Sequence, residues 1–304
     1  MLDFLRSENV DENIIKGIEA FRKSFPASET EADRLVKPRY CYYGKEIWEQ
    51  AATALLCNQN LLLVGAKATG KNVLAENLAA AFGRPNWNVS FHINMDASFM
   101  IGMDTFENGK VVFRPGPIYK CATCGGFGIL DEINMARNEA LAVLHSLLDY
   151  RKIMDVPGYD MIRVHGATRF IATMNYGYAG TKELNEALAS RFVIIKLPVI
   201  ADHNLQKLLR KEFPKLKAEA VQQMSGLFLD LQKKCEGAEI SSKAVDLRGL
   251  LDAIQLIDKG LEPHLALAMG ITNKSFDEYE PTLVNDVISL RLPKKLTRSD
   301  LFQD

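Results

Sequence analysis

No stretch of this chain approaches the roughly 18 uncharged apolar residues that a membrane-crossing helix needs, so a helical span is excluded. Nor does Met1-Leu-Asp-Phe-Leu-Arg6 show the charged-then-apolar layout of a secretory leader, and the expected location is the cytoplasm. Cysteine is scarce: five in 304 residues, an odd number in a long chain, which argues for reduced thiols and against a disulfide framework. Cys121-Ala-Thr-Cys124 has redox or metal-ligand spacing. Without a second Cys/His pair at zinc spacing it reads as two thiols in a loop. Net charge is lacking too. At −1, the whole-molecule field favours neither nucleic acid nor an anionic membrane, and partners must be argued from sites.

What is present is 47% hydrophobic residues, enough for a full α/β domain and a smaller second one. The chain is organised around residues 60–72. Leu61 to Val64 form an apolar run of strand length, and Gly65-x-x-x-x-Gly70-Lys71 matches the P-loop pattern. Such a loop turns its backbone amides toward an anion, with Lys71 as the point charge and the following helix aiming its N-terminus at the same place. That helix carries Leu74, Leu78 and Ala81 and stops at Gly83 and Pro85. One residue departs from the pattern: Asn72 stands where a Ser or Thr magnesium ligand is expected. Taken alone, the motif could be a plain strand-to-helix turn, and the partner segments decide against that.

Residues 1–38 read as an extension with one amphipathic helix, its stripe of Ile14, Ile15, Ile18 and Phe21 docking on the body of the protein. A helical pattern of Ile47, Ala51 and Leu55 leads into the strand at Leu61. Trp87 to Ile93 alternates like a second strand, with His92 as a packed or capping residue. Residues 94–126, rich in Gly, Met and Pro, read as an irregular working surface. The segment 126–132 is an apolar strand ending in Asp131 and Glu132; consecutive residues there point in different directions, so one carboxylate can serve a metal shell and the other an attacking water. A helix over 138–150 and a hairpin over 153–164, turning at Pro157-Gly158, follow. Next, Phe170 to Met174 is a buried strand with Asn175 at its carboxyl end, where open α/β sheets bind ligands. A helix near 183–189 ends at Ser190-Arg191, and Phe192 to Leu197 is the last strand. Beyond Pro198 only helices are predicted, including one capped by Ser241-Ser242, and the tail from Pro293 reads as polar and loose. Lys207, Arg210, Lys211, Lys215 and Lys217 interleave with leucines as a solvated helix face.

The ordered set Gly65-Ala-Lys-Ala-Thr-Gly-Lys71, Leu130-Asp-Glu-Ile-Asn134, Met174-Asn175, Ala187-Leu-Ala-Ser-Arg191-Phe192 and Leu247-Arg248 resembles an AAA+ ATPase. Phe113-Arg-Pro-Gly-Pro-Ile118 and Asp131-Glu-Ile-Asn-Met-Ala136 are similar to the MoxR-like branch, with its carbon-fixation and nitric-oxide-reductase activator relatives. The resemblance implies an α/β fold, a P-loop three-layer parallel sheet over 39–200, with a C-terminal α-helical lid domain over 201–304. It implies ATP and Mg2+ as cofactors, held by Gly65, Ala66, Lys67, Ala68, Thr69, Gly70, Lys71, Asn72, Val73 and Arg248. Asn72 and Asp131 are the implied metal positions. Glu132 would polarise the attacking water, Asn175 would be the sensor, and Arg191 the finger reaching a neighbour's nucleotide. For either arginine a surface salt bridge is the plainer alternative. It further implies a ring homo-oligomer, expected to be a hexamer, that hydrolyses ATP to remodel or mature a protein client, by analogy one with a von Willebrand factor A domain. That client would dock at 114–118 and at the hairpin near 157–158. Nucleic acid is not expected. Asn72 keeps a second function open, a nucleotide-gated scaffold that barely turns over.

Overall fold

The computed structural model of the chain describes every residue except positions 157, 176–182, 294 and 304. The chain divides into two compact units, Met1–Ala66 with Gly70–Pro198, and Lys67–Thr69 with Val199–Asp304. Among the described residues nine strands lie along the first: β1 Asn60–Gly65, β2 Asn86–Ser90, β3 Gly102–Glu107, β4 Lys110–Pro115, β5 Phe127–Asp131, β6 Ile153–Met154, β7 Ile162–Arg163, β8 Arg169–Asn175 and β9 Phe192–Lys196. Five form one sheet in the order β2-β5-β8-β1-β9, and every neighbouring pair is parallel.

A parallel sheet needs cover on both faces, which is why its strands read as unbroken apolar runs. Alternate side chains show it. Leu61, Leu63, Ile129 and Ile171 enter one core with the helices Glu12–Ser24, Lys45–Leu56 and Lys71–Phe82. Leu62, Val64, Leu130, Phe170 and Ala172 enter the other, with the helix Pro117–Cys124 and the short helices Asn138–Leu141 and Leu144–Leu148. The result is the three-layer α/β arrangement of a P-loop fold. Parallel register then brings the carboxyl ends level: Gly65 lies opposite Asn175, Leu130 opposite Ala172, and Ser90 opposite Asp131.

Several expectations are corrected. Residues 1–38 hold two α-helices, Leu2–Ser7 and Glu12–Ser24, because Asn9 takes a left-handed φ of 58° and breaks the run, and a 3-10 helix, Glu29–Arg34. Ile15, Ile18 and Phe21 do bury against the first core. Residues 94–126 are ordered: Asp96 caps the short helix Ala97–Ile101, β3 and β4 pair as an antiparallel hairpin, and the helix Pro117–Cys124 follows. Cys121 and Cys124 therefore sit on a helix, not in a loop; Cys121 is fully buried, and that burial drives its thiol far up from its ordinary value. None of the five cysteines is in a disulfide. The 138–150 helix is two short pieces, and the one near 183–189 covers only Glu186–Ala189, capped by Asn185. β6 and β7 pair as the expected hairpin, although Pro157 in its turn lies outside the described residues. His92 is exposed in a turn, its Nδ1 accepting from Asn94 N at 3.3 Å.

The second unit is helical: Asp202–Glu212, Ala218–Glu236, Leu247–Asp258, Pro263–Gly270 and Glu280–Arg291. Asp246, not Ser241-Ser242, caps the third, accepting from Arg248 N. Ser241 instead holds Glu280, through its own N and Oγ at 2.8 Å each. The tail is also corrected: Thr297 and Asp300 make a capping box for the helix Arg298–Leu301, and Leu301 and Phe302 are buried. Among the described residues no helix is long and apolar enough to cross a membrane.

Candidate functional site

The site begins where β1 ends. Ala68 and Gly70 both take left-handed φ values, 64° and 81°, which curl residues 65–70 over the start of the helix Lys71–Phe82. A Cβ on Gly70 would stand 3.2 Å from the Tyr42 ring, so glycine serves both the turn and the close approach. Tyr42 is itself fixed: its N donates to Asn77 Oδ1 at 3.1 Å, and Trp48 Nε1 donates to Tyr42 O at 2.8 Å. Asn77 Nδ2 reaches Tyr40 O at 2.8 Å. The P-loop helix thus ties down the 40–42 segment.

Lys71 is buried and points back into the loop, its Nζ donating to Gly65 O at 2.9 Å and Ala66 O at 2.8 Å. Burial pushes its amine down to about 8; the nearby Asp131 and Glu132 charges pull the other way without winning. A desolvated ammonium seated against carbonyl dipoles gains from a full negative charge, so the cradle fits a phosphate. Asn72 and Val73 stand half-buried on the first turn of the helix.

Across the crevice stand the two carboxylates. Thr173 joins them: its Oγ1 donates to Asp131 Oδ1 at 2.6 Å and accepts from Glu132 N at 3.1 Å. Glu132 takes a left-handed φ of 55°, a strained geometry for a non-glycine residue, and is exposed. Asn175 Nδ2 then donates to Glu132 Oε1 at 3.0 Å. Thr173 and Asn175, two apart on β8, share one face of the strand. Asn175 and Glu132 were legible in the sequence; Thr173 was not singled out, although its spacing from Asn175 marks it.

For a divalent cation the available donors are hard oxygens, the Asp131 carboxylate and the Asn72 amide, which suit magnesium. Among the described residues no cluster of three or more His, Cys, Asp or Glu is placed to hold a metal. Magnesium accepts such a partial set, since it keeps waters and takes the rest of its shell from phosphates.

Arg191 lies apart from these groups, one residue before β9. Its half-buried guanidinium is held by carbonyls, Nε donating to His145 O at 3.1 Å and Nη1 to Ala187 O. Arg248 is exposed in the second unit, at the start of the helix Leu247–Asp258. Lys67, Ala68 and Thr69 group with that unit.

Residues 60–192 match the AAA domain, dynein-related subfamily. Among curated proteins the chain is similar to uncharacterized protein YojN of Bacillus subtilis, 35% identical over 242 residues, covering 78% of this chain and 79% of that one. It is 32% identical over 263 residues to uncharacterized protein SH1500 of Staphylococcus haemolyticus, covering 84% and 99%. A solved structure from Cytophaga hutchinsonii overlaps 95% of this chain and 89% of its own at 14% identity and a TM-score of 0.48.

Proposed function

Since the chain belongs to the AAA family, whose domain supports ATP binding and hydrolysis, we propose that it is a ring-forming ATPase of the MoxR-like type that spends the cycle on remodelling or maturing a protein client. One observation supports it above the rest: a buried Lys71 turned onto the carbonyls of a glycine-bracketed loop, with Asp131, Thr173, Glu132 and Asn175 hydrogen-bonded in series at the carboxyl ends of neighbouring parallel strands.

Phosphoryl transfer asks the protein mainly for positioning and charge. Lys71 would exchange its two loop carbonyls for phosphate oxygens. Magnesium, held by Asp131 and Asn72, would supply neutralisation of phosphate charge when bound. Glu132, exposed and held by the Asn175 amide, would orient a water and take its proton, while Asn175 would sense what lies beside the carboxylate. Arg191, half-buried and held by two carbonyls, would swing to a neighbour's phosphates, so that assembly and turnover are coupled. Arg248 would contact the nucleotide of its own subunit. The β3–β4 hairpin offers client contact, for Phe106 is 75% and Val111 65% exposed near its tip. A client with a von Willebrand factor A domain rests on family analogy alone.

Asn72 favours the second reading, a nucleotide-gated scaffold with slow turnover. Phosphate release by the wild type and Glu132→Gln separates them. The hydrolase reading expects ATP binding to survive in Glu132→Gln while turnover drops about 10²- to 10⁴-fold. A variant that hydrolyses near the wild-type rate removes Glu132 as the base, and a wild type that scarcely hydrolyses supports the scaffold.

A further inference from the structure

At the end of β1 away from the phosphate loop, one buried amide joins three parts of the first unit. Asn60 opens β1 and is 3% exposed. Its Nδ2 donates to Leu148 O at 2.7 Å and to Arg191 O at 3.2 Å, while its Oδ1 accepts from Lys152 Nζ at 3.2 Å. These partners also fix which way round the amide stands. Turned over, its oxygen would face two carbonyl oxygens and its NH2 an ammonium.

Each partner leads somewhere different. Leu148 closes the helix Leu144–Leu148, and the same helix offers His145 O to the Arg191 guanidinium. Asn60 therefore holds both the main chain of Arg191 and the helix on which its side chain rests. Register reinforces this, since Asn60 lies opposite Phe192, the residue after Arg191. Lys152 stands just before β6 in the left-handed region, φ 51°, with its O accepting from Val164 N at 2.9 Å just after β7; it closes the base of that hairpin. Burial lowers its amine to about 8, so a neutral acceptor suits it better than solvent exposure would require.

We propose that Asn60 is a positioning residue for Arg191, and that Lys152 links the base of the β6–β7 hairpin to that position. The inference rests on the reading of Arg191 as the residue that completes a neighbouring subunit's site. An arginine that must reach across a gap depends on how its base is held, and a misplacement of about 1 Å can cost about a hundredfold in rate. Asn60 bonds to both the Arg191 main chain and the helix under its guanidinium. A client moving the hairpin would pull on Lys152, then on Asn60, then on Arg191.

The test compares Asn60→Asp, Lys152→Met and Arg191→Ala by ATP turnover, KM and mixing with Glu132→Gln. Asn60→Asp keeps the side-chain size and an acceptor for Lys152 but loses both donors. Its kcat is expected to fall about ten- to a hundredfold with KM within about twofold, since ground-state binding is untouched. Mixing with Glu132→Gln should restore turnover, because that subunit brings a well-held Arg191 to the intact Glu132 of the Asn60→Asp subunit; a merely structural defect would not be rescued. Lys152→Met should show the same pattern with a smaller loss, about three- to tenfold. Should Asn60→Asp fail to fold, Lys152→Met decides on the same criteria. If Arg191→Ala is inactive and rescued by mixing while the folded Asn60 and Lys152 variants keep wild-type kcat, or lose it without rescue, this inference alone is overturned. Wild-type turnover by Arg191→Ala overturns the reading of Arg191 as well, and needs neither of the other variants to show it.

Discussion

Lys71 shows how far a single residue type in a motif carries, and where the structure adds to it. The pattern Gly65-x-x-x-x-Gly70-Lys71 identifies a point charge beside a phosphate loop; it does not say that the ammonium is buried against Gly65 O and Ala66 O. That burial lowers its pKa to about 8 from 10.5, so without nucleotide the proton is lost in a range where ordinary lysines keep theirs. A bound phosphate favours the ammonium, so above about pH 8 binding must take up a proton, and affinity must fall as pH rises. Between about pH 7 and pH 10 the metal-free ATP dissociation constant should rise, by up to about tenfold per pH unit at the alkaline end. Calorimetry in buffers of different ionisation enthalpy measures the proton uptake. A flat profile would place the Lys71 pKa above this range. Thr173 is the contrasting case: its spacing of two from Asn175 puts both on one face of a strand, but its part as the link between Asp131 and Glu132 shows only once β5 and β8 are known to be neighbours.

Among elements, legibility followed burial. The inner sheet strands β1, β5 and β8 were readable because they are covered on both faces, which forces runs such as Leu61 to Val64 and Phe127 to Leu130. The β3–β4 hairpin was not, because side chains on both of its faces, Met103 and Phe106 among them, meet solvent and leave no period to detect. The tail was misread for another reason. Its few apolar residues gain partners only by a long-range return: Phe302 bridges Leu216, Lys217 N donates to Leu301 O at 2.9 Å, and Gln303 N to Lys215 O at 2.8 Å. Leu301, 1% exposed, should therefore behave as core, and Leu301→Ala is expected to destabilise the second unit by about 2–5 kcal/mol. Hydrogen exchange across the helix Ala218–Glu236 reads this directly. Unchanged protection there would mean that the tail docks without stabilising the unit.

For the whole molecule, composition says little, since a net charge of −1 leaves no field to steer a partner. What bears on assembly is the placing of Arg191 away from Lys71, Asp131 and Glu132, folded onto His145 O and Ala187 O at the start of β9. An arginine so placed either caps local carbonyls or serves a site on another copy of the chain, and the two roles differ in mixtures. Arg191→Ala keeps its own Glu132, and Glu132→Gln keeps its own Arg191. If Arg191 acts across an interface, a site is complete wherever an Arg191→Ala subunit is followed by a Glu132→Gln subunit in the order that delivers the arginine. Random equimolar assembly makes about one quarter of interfaces complete in a closed head-to-tail ring, so turnover should return to roughly a quarter of the wild-type rate from two inactive proteins. The ratio matters as much as the rescue: activity should peak at equal proportions and fall on either side, since each complete site needs one subunit of each kind. No recovery in a freely exchanging mixture would assign Arg191 to its own subunit, where its bonds to His145 O and Ala187 O would then be its whole role.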